Sequence, residues 1–155
     1  WLVALLGYAT HGLLDACTTY GTLLLWPFSD ARIAWNTISV IDPIFTLPLL
    51  ALVLTAAAAR SVVATRLAIG WVAFYLSLGL LQEHRATMAG EFLAASRGHD
   101  GARVSSKPSF GNLLLWKSIY EYKGQFWVDA LRVSRDVTVI EGDSVARLNL
   151  SQQFP

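Results

Sequence analysis

His11 and Asp15 stand four residues apart in HGLLDACTTYGT, residues 11–22. On an α-helix that spacing stacks the two side chains on one face, about 6 Å apart along the axis, where an imidazole nitrogen and a carboxylate oxygen can reach the same divalent cation. Thr18, Thr19 and Thr22 extend the stripe. With Tyr20 they supply hydroxyls that would order the outer shell of a metal or a bound substrate. Asp42 and His84 are further candidates for acid–base work, and Arg32 for binding an anionic headgroup or substrate phosphate.

Each candidate also has a plainer reading. His11 and Asp15 can pair with each other or with a neighbouring helix. Asp42 before Pro43 is the signature of an N-cap followed by proline at the first helical position. His84, next to Glu83, can be a solvated interfacial side chain, and Arg32 a snorkelling one. His99 and Asp100 sit in a Gly-rich loop, where a turn accounts for them. The setting favours chemistry for the first pair, because an aspartate at the centre of a membrane helix costs roughly 2.5–3.5 kcal/mol and such residues usually face a cavity or a partner.

The elements that must position these residues are apolar. Of 155 residues 54% are apolar and 15% charged, against the ~25% charged of soluble domains, which is the composition of a membrane protein. A net charge of +1 and the lack of any basic run remove the electrostatic footprint of a nucleic-acid binder. Cys17 is the one cysteine, so a disulfide framework or a thiolate cluster within the chain is excluded. No G-x-S-x-G elbow, Walker loop or HExxH occurs, and the serine-hydrolase, nucleotide-binding and zincin readings lack their marks. The chain opens on Trp1 with no methionine and no basic leading segment, and reads as a fragment entered partway along a helix.

Three stretches read as transmembrane helices: residues 1–21, ending near Gly21 as a cap, then 42–59 and 63–82. WPFSDARIAWN, 26–36, has the aromatic and charged mixture of an interfacial loop. Arg60 and Arg66 make the turn between the second and third stretches basic. The positive-inside rule then places that turn in the cytoplasm and the residues after 82 in the periplasm. With alternating directions, the end of the first helix, the start of the second and the end of the third meet at one face, which would gather residues 11–22 with Asp42 and His84. All but three of the basic and all but three of the acidic residues follow position 82. This region, 83–155, reads as a soluble appendage: a helical continuation to Gly98, a loop over 98–109, two strands around Lys123 and Gly124, and a third at 136–142. The expected fold class is therefore a mainly α, polytopic membrane protein with three spans and a small antiparallel β-rich appendage.

The block HGLLDACTTYGTLLLWPFSDARIAWNTISVIDPIFTLPLL, 11–50, resembles the central block of the YdjM-type family of bacterial inner-membrane proteins, described as metal-dependent hydrolases. The family pattern H-x-x-x-D-x-x-T-x-Y-G-T, then L-x-P-F-S and D-P-x-[FY]-T-L-P, is matched by His11, Asp15, Thr18, Tyr20, Gly21, Thr22, Pro27, Phe28, Ser29, Asp42, Pro43, Thr46 and Pro48. KPSFGNLLLWKSIYEYKGQFWV, 107–128, is similar to the family's P-x-x-F-N-x-L-L-W and its β-rich tail, with Gly111 before Asn112 as a one-residue shift. The resemblance implies that upstream histidines and aspartates, in a P-D-x-D-like and an H-R-G-x-x-H-S motif, complete a metal site with His11 and Asp15.

The expectation is then a multi-pass inner-membrane hydrolase. Its divalent ion, Zn2+ being the one that histidine and carboxylate donors suit, would activate water at the bilayer surface against an amphiphilic or phosphoester substrate. The rival expectation is a non-enzymatic scaffold or transporter subunit whose His and Asp serve helix packing or proton movement.

Overall fold

In the computed structural model, which describes residues 1–148, three helices precede one sheet: α1 Leu2–Ala16, α2 Pro43–Ala59, α3 Val62–Ser96, then β1 Ser105–Pro108, β2 Leu115–Tyr122, β3 Gln125–Val133 and β4 Val137–Ala146. The four strands form an antiparallel meander in the order β1-β2-β3-β4.

The expectation of three membrane spans is corrected. Among the described residues, α3 alone is long and apolar enough to cross a membrane by length and composition. α1 has 15 residues and α2 has 17. At 1.5 Å per residue these rise about 23 and 26 Å, short of a hydrocarbon core of about 30 Å.

The boundaries have local causes. α1 stops at Ala16 rather than near Gly21, and Cys17 is its C-cap. Beyond it the Thr18 hydroxyl donates to the Asp15 carbonyl at 2.7 Å, and a bridge to Ile38 holds Thr18 extended. Side-chain bonding of this kind offers a threonine backbone an alternative to continuing the helix. Asp42 and Pro43 open α2, as their types predict: Oδ1 of Asp42 accepts from the N–H groups of Ile44 and Phe45, both at 3.1 Å. Arg60 ends it in the left-handed conformation, φ 49°.

α3 does not end at 82 either. It runs on as one helix to Ser96, so the expected border between membrane region and appendage at 82/83 falls inside it. Its buried positions, Ala64, Ala68, Tyr75, Gly79, Gln82, Ala86, Gly90 and Ala94, are mostly small, which lets neighbours approach its backbone. α2 lies against the apolar half, where Phe45, Trp71 and Tyr75 pack as a ring cluster with centroids 5.3 and 5.6 Å apart. The other half lies on the sheet over Trp116, Leu131 and Val133, all fully buried.

The hairpin expected around Lys123 and Gly124 is present, with Tyr122 opposite Gln125, and β4 extends the third strand to Ala146. β1 lies where a loop was expected; its Ser106 pairs with Ser118 on the face covered by α3. The appendage is thus a four-stranded sheet under a helix, and the chain an α-plus-β molecule rather than a mainly α one. Residues 149–155 of the expected appendage lie outside the described residues.

An ion pair locks the far end of α3 to the sheet. Arg97, its C-cap, donates two hydrogen bonds to buried Asp129 at 2.8 and 2.9 Å, one to Tyr120 at 3.2 Å, and one to Glu141 at 3.3 Å. The bond to Asp129 holds the Arg97 guanidinium above its ordinary range. Burial pushes the Asp129 carboxyl up, but Arg97 and the Gly142 N–H together outweigh it and leave it below its ordinary 3.8. His99, expected as a turn residue, stacks on Tyr122 at 4.2 Å and shares a hydrogen bond with Tyr120 at 3.0 Å.

Because the folded pKa of Asp129 is depressed, its contribution is whole above pH 3.8 and is lost as pH falls through the lower folded value. Urea unfolding of the solubilised protein followed by tryptophan fluorescence should show that loss, and Asp129→Ala should cost about 1.5–3 kcal/mol at neutral pH by removing two of the hydrogen bonds of Arg97, which keeps Tyr120 and Glu141. Gly90→Val should cost about 1–3 kcal/mol in the same measurement, since a Cβ there meets Ser118 Oγ at 2.5 Å and Val104 Cγ1 at 2.8 Å. Gly70→Ala, on open helix surface, should be close to neutral.

Candidate functional site

His11 and Asp15 lie in the last two turns of α1, on one face as their spacing predicts. His11 Nε2 is 3.5 Å from Asp15 Oδ2, and the side chains are 71% and 47% exposed, so neither is locked in a core and both are open to a ligand. The threonines do not continue the helical stripe, because α1 ends at Ala16. Instead Thr18 and Thr22 are held by isolated bridges to Ile38 and Ile33, which fold the loop after α1 back across its end. Gly21 permits this: at φ +63° it lies so close to the Ile33 carbonyl that no side chain would fit.

The fold brings part of the predicted set together. Asp15, Thr18, Tyr20 and Asp42 border one cavity of about 330 Å³ between the end of α1 and the start of α2. On the other side of Asp15, a second hollow of about 610 Å³ is bordered by His11 and Thr22, with Tyr8 and Trp26. Arg32 is exposed and donates to the carbonyls of Tyr20 at 3.1 Å and Gly21 at 3.5 Å, so its guanidinium braces the loop beside the cavity. Thr19 is half-buried in the same loop. His84 is exposed on α3 and borders none of the hollows around Asp15.

Asp42 is a hub of hydrogen bonds. It is 3% exposed. Oδ1 caps α2 and Oδ2 accepts from the Tyr75 hydroxyl of α3 at 2.7 Å, so both oxygens are engaged. Trp71 adds a parallel tie, its indole N–H donating to the Phe45 carbonyl at 3.0 Å. Sequence reasoning missed Tyr75, although a phenol in a charge-free stretch is a signal in itself: a buried Tyr O–H needs a partner.

The donors present do not by themselves make a metal centre. Among the described residues no three His, Cys, Asp or Glu side chains converge, and a divalent ion takes three or four protein ligands. Cys17 adds none. Burial pushes its thiol up, away from the thiolate that metals bind, and Sγ donates to the Leu13 carbonyl at 3.4 Å.

Tyr75→Phe should leave Asp42 Oδ2 buried without a donor and destabilise the α2–α3 contact by about 1–3 kcal/mol in denaturant unfolding. Tyr8→Phe, at an 81% exposed position, should not.

No curated protein and no solved structure matches the chain. A family profile described as "YdjM inner membrane protein" matches residues 1–86, more than half of its 155 residues and the whole of α1, the bridged loop, α2 and the apolar part of α3. By that match the chain belongs to the YdjM inner membrane protein family.

Proposed function

We propose that this inner-membrane protein is a metal-dependent hydrolase to which His11 and Asp15 contribute two of the ligands of a divalent ion, most simply Zn2+. The observation that carries the reading is the pair itself: imidazole and carboxylate 3.5 Å apart and exposed, with Asp15 on the rim shared by two hollows and His11 on the rim of the larger one. Further donors are required, of the kind the family resemblance implies, because two ligands alone would hold a divalent ion poorly. Thr18, Tyr20 and Thr22 border the space a substrate would occupy.

Asp42 is a positioning residue in this reading. With both oxygens engaged it holds the start of α2 against α3, and through them the wall of the smaller cavity. His84 is left out of the proposed site.

α3 supports the membrane placement. From Val62 to Gln82 it rises about 30 Å, the thickness of a hydrocarbon core. Arg60 and Arg66 at its N-terminal end favour the cytoplasmic side for that end, and hence the periplasmic side for the sheet. An amphiphilic phosphoester is the substrate class that a site beside the bilayer would meet.

The test is metal content of the full-length protein purified in detergent, with Zn2+ titration of the stripped form. His11→Ala and Asp15→Ala are each expected to weaken binding about 10-fold or more, the scale on which metal sites respond to a change in their ligand environment. Unchanged affinity in both variants, alongside unchanged unfolding, would remove the pair from any ligand set. It would favour the alternative of a scaffold or transporter subunit in which His11 and Asp15 serve each other.

A further inference from the structure

We propose that the end of the sheet nearest Gln82 rests on the surface of the bilayer that α3 crosses, with Phe110, Leu114 and Leu115 at headgroup depth and Lys117, Arg132 and Arg135 against anionic phospholipid headgroups.

The placement begins with Gln82, the last residue of the charge-free stretch of α3. Its side-chain amide donates to the carbonyls of Leu113 and Val133 at 3.3 and 2.8 Å. From there α3 climbs beside β2: Ala86 packs near Trp116, Gly90 faces Ser118, and Arg97 reaches Tyr120. One end of the strands is therefore pinned where the apolar stretch ends. The Lys123–Gly124 hairpin lies at the other end, about 20 Å further along the helix.

The pinned end has the composition that an interface selects. Phe110, Leu114 and Leu115 are 70%, 51% and 42% exposed, around the turn from β1 to β2. This turn is built rather than loose: Asn112 Oδ1 accepts from the N–H groups of Leu114 and Leu115 at 2.9 and 2.7 Å, and the Gly111 N–H donates to Ile41 at 3.1 Å. The last bond ties the turn to the residue just before the α2 cap.

Above it are basic side chains on the sheet face turned away from α3. Arg132 pairs across the strands with Leu115, and Lys117 is two residues further up β2. Lys117 also stands directly opposite Lys107 of β1, a like-charge pair that is unfavourable unless an anion is near. Arg135 is in the β3–β4 turn, beside Asp136. Among the described residues none of these four cations is in an ion pair, whereas at the hairpin end Arg147 pairs with Glu121 at 2.9 Å. Apolar side chains at a rim backed by free cations are what adsorb to an anionic membrane surface. The membrane is the occupant because this rim is continuous with the helix that enters it.

The inference rests on α3 crossing the bilayer, and the experiment separates the two. The full chain carrying Cys17→Ser is labelled with a nitroxide at Leu114→Cys, at Lys123→Cys in the hairpin, or at Ile69→Cys on the exposed face of α3, and is reconstituted into vesicles of phosphatidylcholine with or without phosphatidylglycerol. Oxygen and nickel-chelate accessibilities report depth. Expected are a lipid-exposed label at Ile69, a water-exposed one at Lys123, and one at Leu114 at headgroup depth with phosphatidylglycerol that moves toward water when Lys117→Glu and Arg132→Glu are added. If Ile69 is not lipid-exposed, the reading of α3 fails. If Ile69 is lipid-exposed but Leu114 is as wet as Lys123, or its depth ignores both phosphatidylglycerol and charge reversal, this inference alone is overturned. Dipolar broadening between Leu114 labels that persists in detergent overturns it in favour of a second copy of the chain.

Discussion

Where the uncharged stretch of α3 ends, the Gln82 amide donates to two strand-end carbonyls, those of Leu113 and Val133. The Leu113 carbonyl also accepts from the Trp116 indole N–H at 2.9 Å, so the Gln82 amide adds to a strand-end acceptor already engaged within the sheet and ties it to the helix. The contact is where one helix changes surroundings, from α2 and Trp71 on one side to the sheet on the other. Ala86, Gly90 and Ala94 then let the sheet approach the helix backbone, and Arg97 closes the far end on Asp129. The sheet therefore has one position relative to the apolar half of α3.

A comparable role falls to Asp42 where α2 meets α3. A capping carboxylate has two oxygens. One serves the helix it starts, and here the other serves Tyr75 on the next helix. The same residue thus sets where α2 begins and where it lies, and with it the distance between the end of α1 and the entry of α2. The hollow bordered by Asp15, Thr18 and Tyr20 exists because of that distance. A residue of a type fit for acid–base chemistry thus also builds the wall beside Asp15, Thr18 and Tyr20.

The contrast between the two acidic residues is physical. Asp15 lies on an exposed helix face with only a histidine beside it, so its oxygens are available to a ligand. Asp42, at 3% exposure, already accepts three hydrogen bonds from protein donors. Sequence type and spacing nominate both equally. Accessibility and hydrogen-bond satisfaction separate them.

Much was legible in the chain itself. The four-residue spacing put His11 and Asp15 on one helix face, Asp42–Pro43 marked the start of α2, and Lys123–Gly124 marked the hairpin, because each depends on neighbours within a few residues. The family, too, is carried by local pattern. The helical continuation past 82 toward Gly98 was legible too, and α3 runs to Ser96. The end of α1 was not: hydropathy continues past Ala16 while the hydroxyl of Thr18 and the bridge to Ile38 stop the helix. Nor could spacing reveal that Tyr75, 33 residues away, would take the second oxygen of Asp42, or that His84 would face away from the cavity. Local chemistry was determined by the sequence alone; which groups are left free to act was decided by tertiary contacts, since a hydrogen-bonding atom already satisfied by a distant partner has nothing left to offer a ligand.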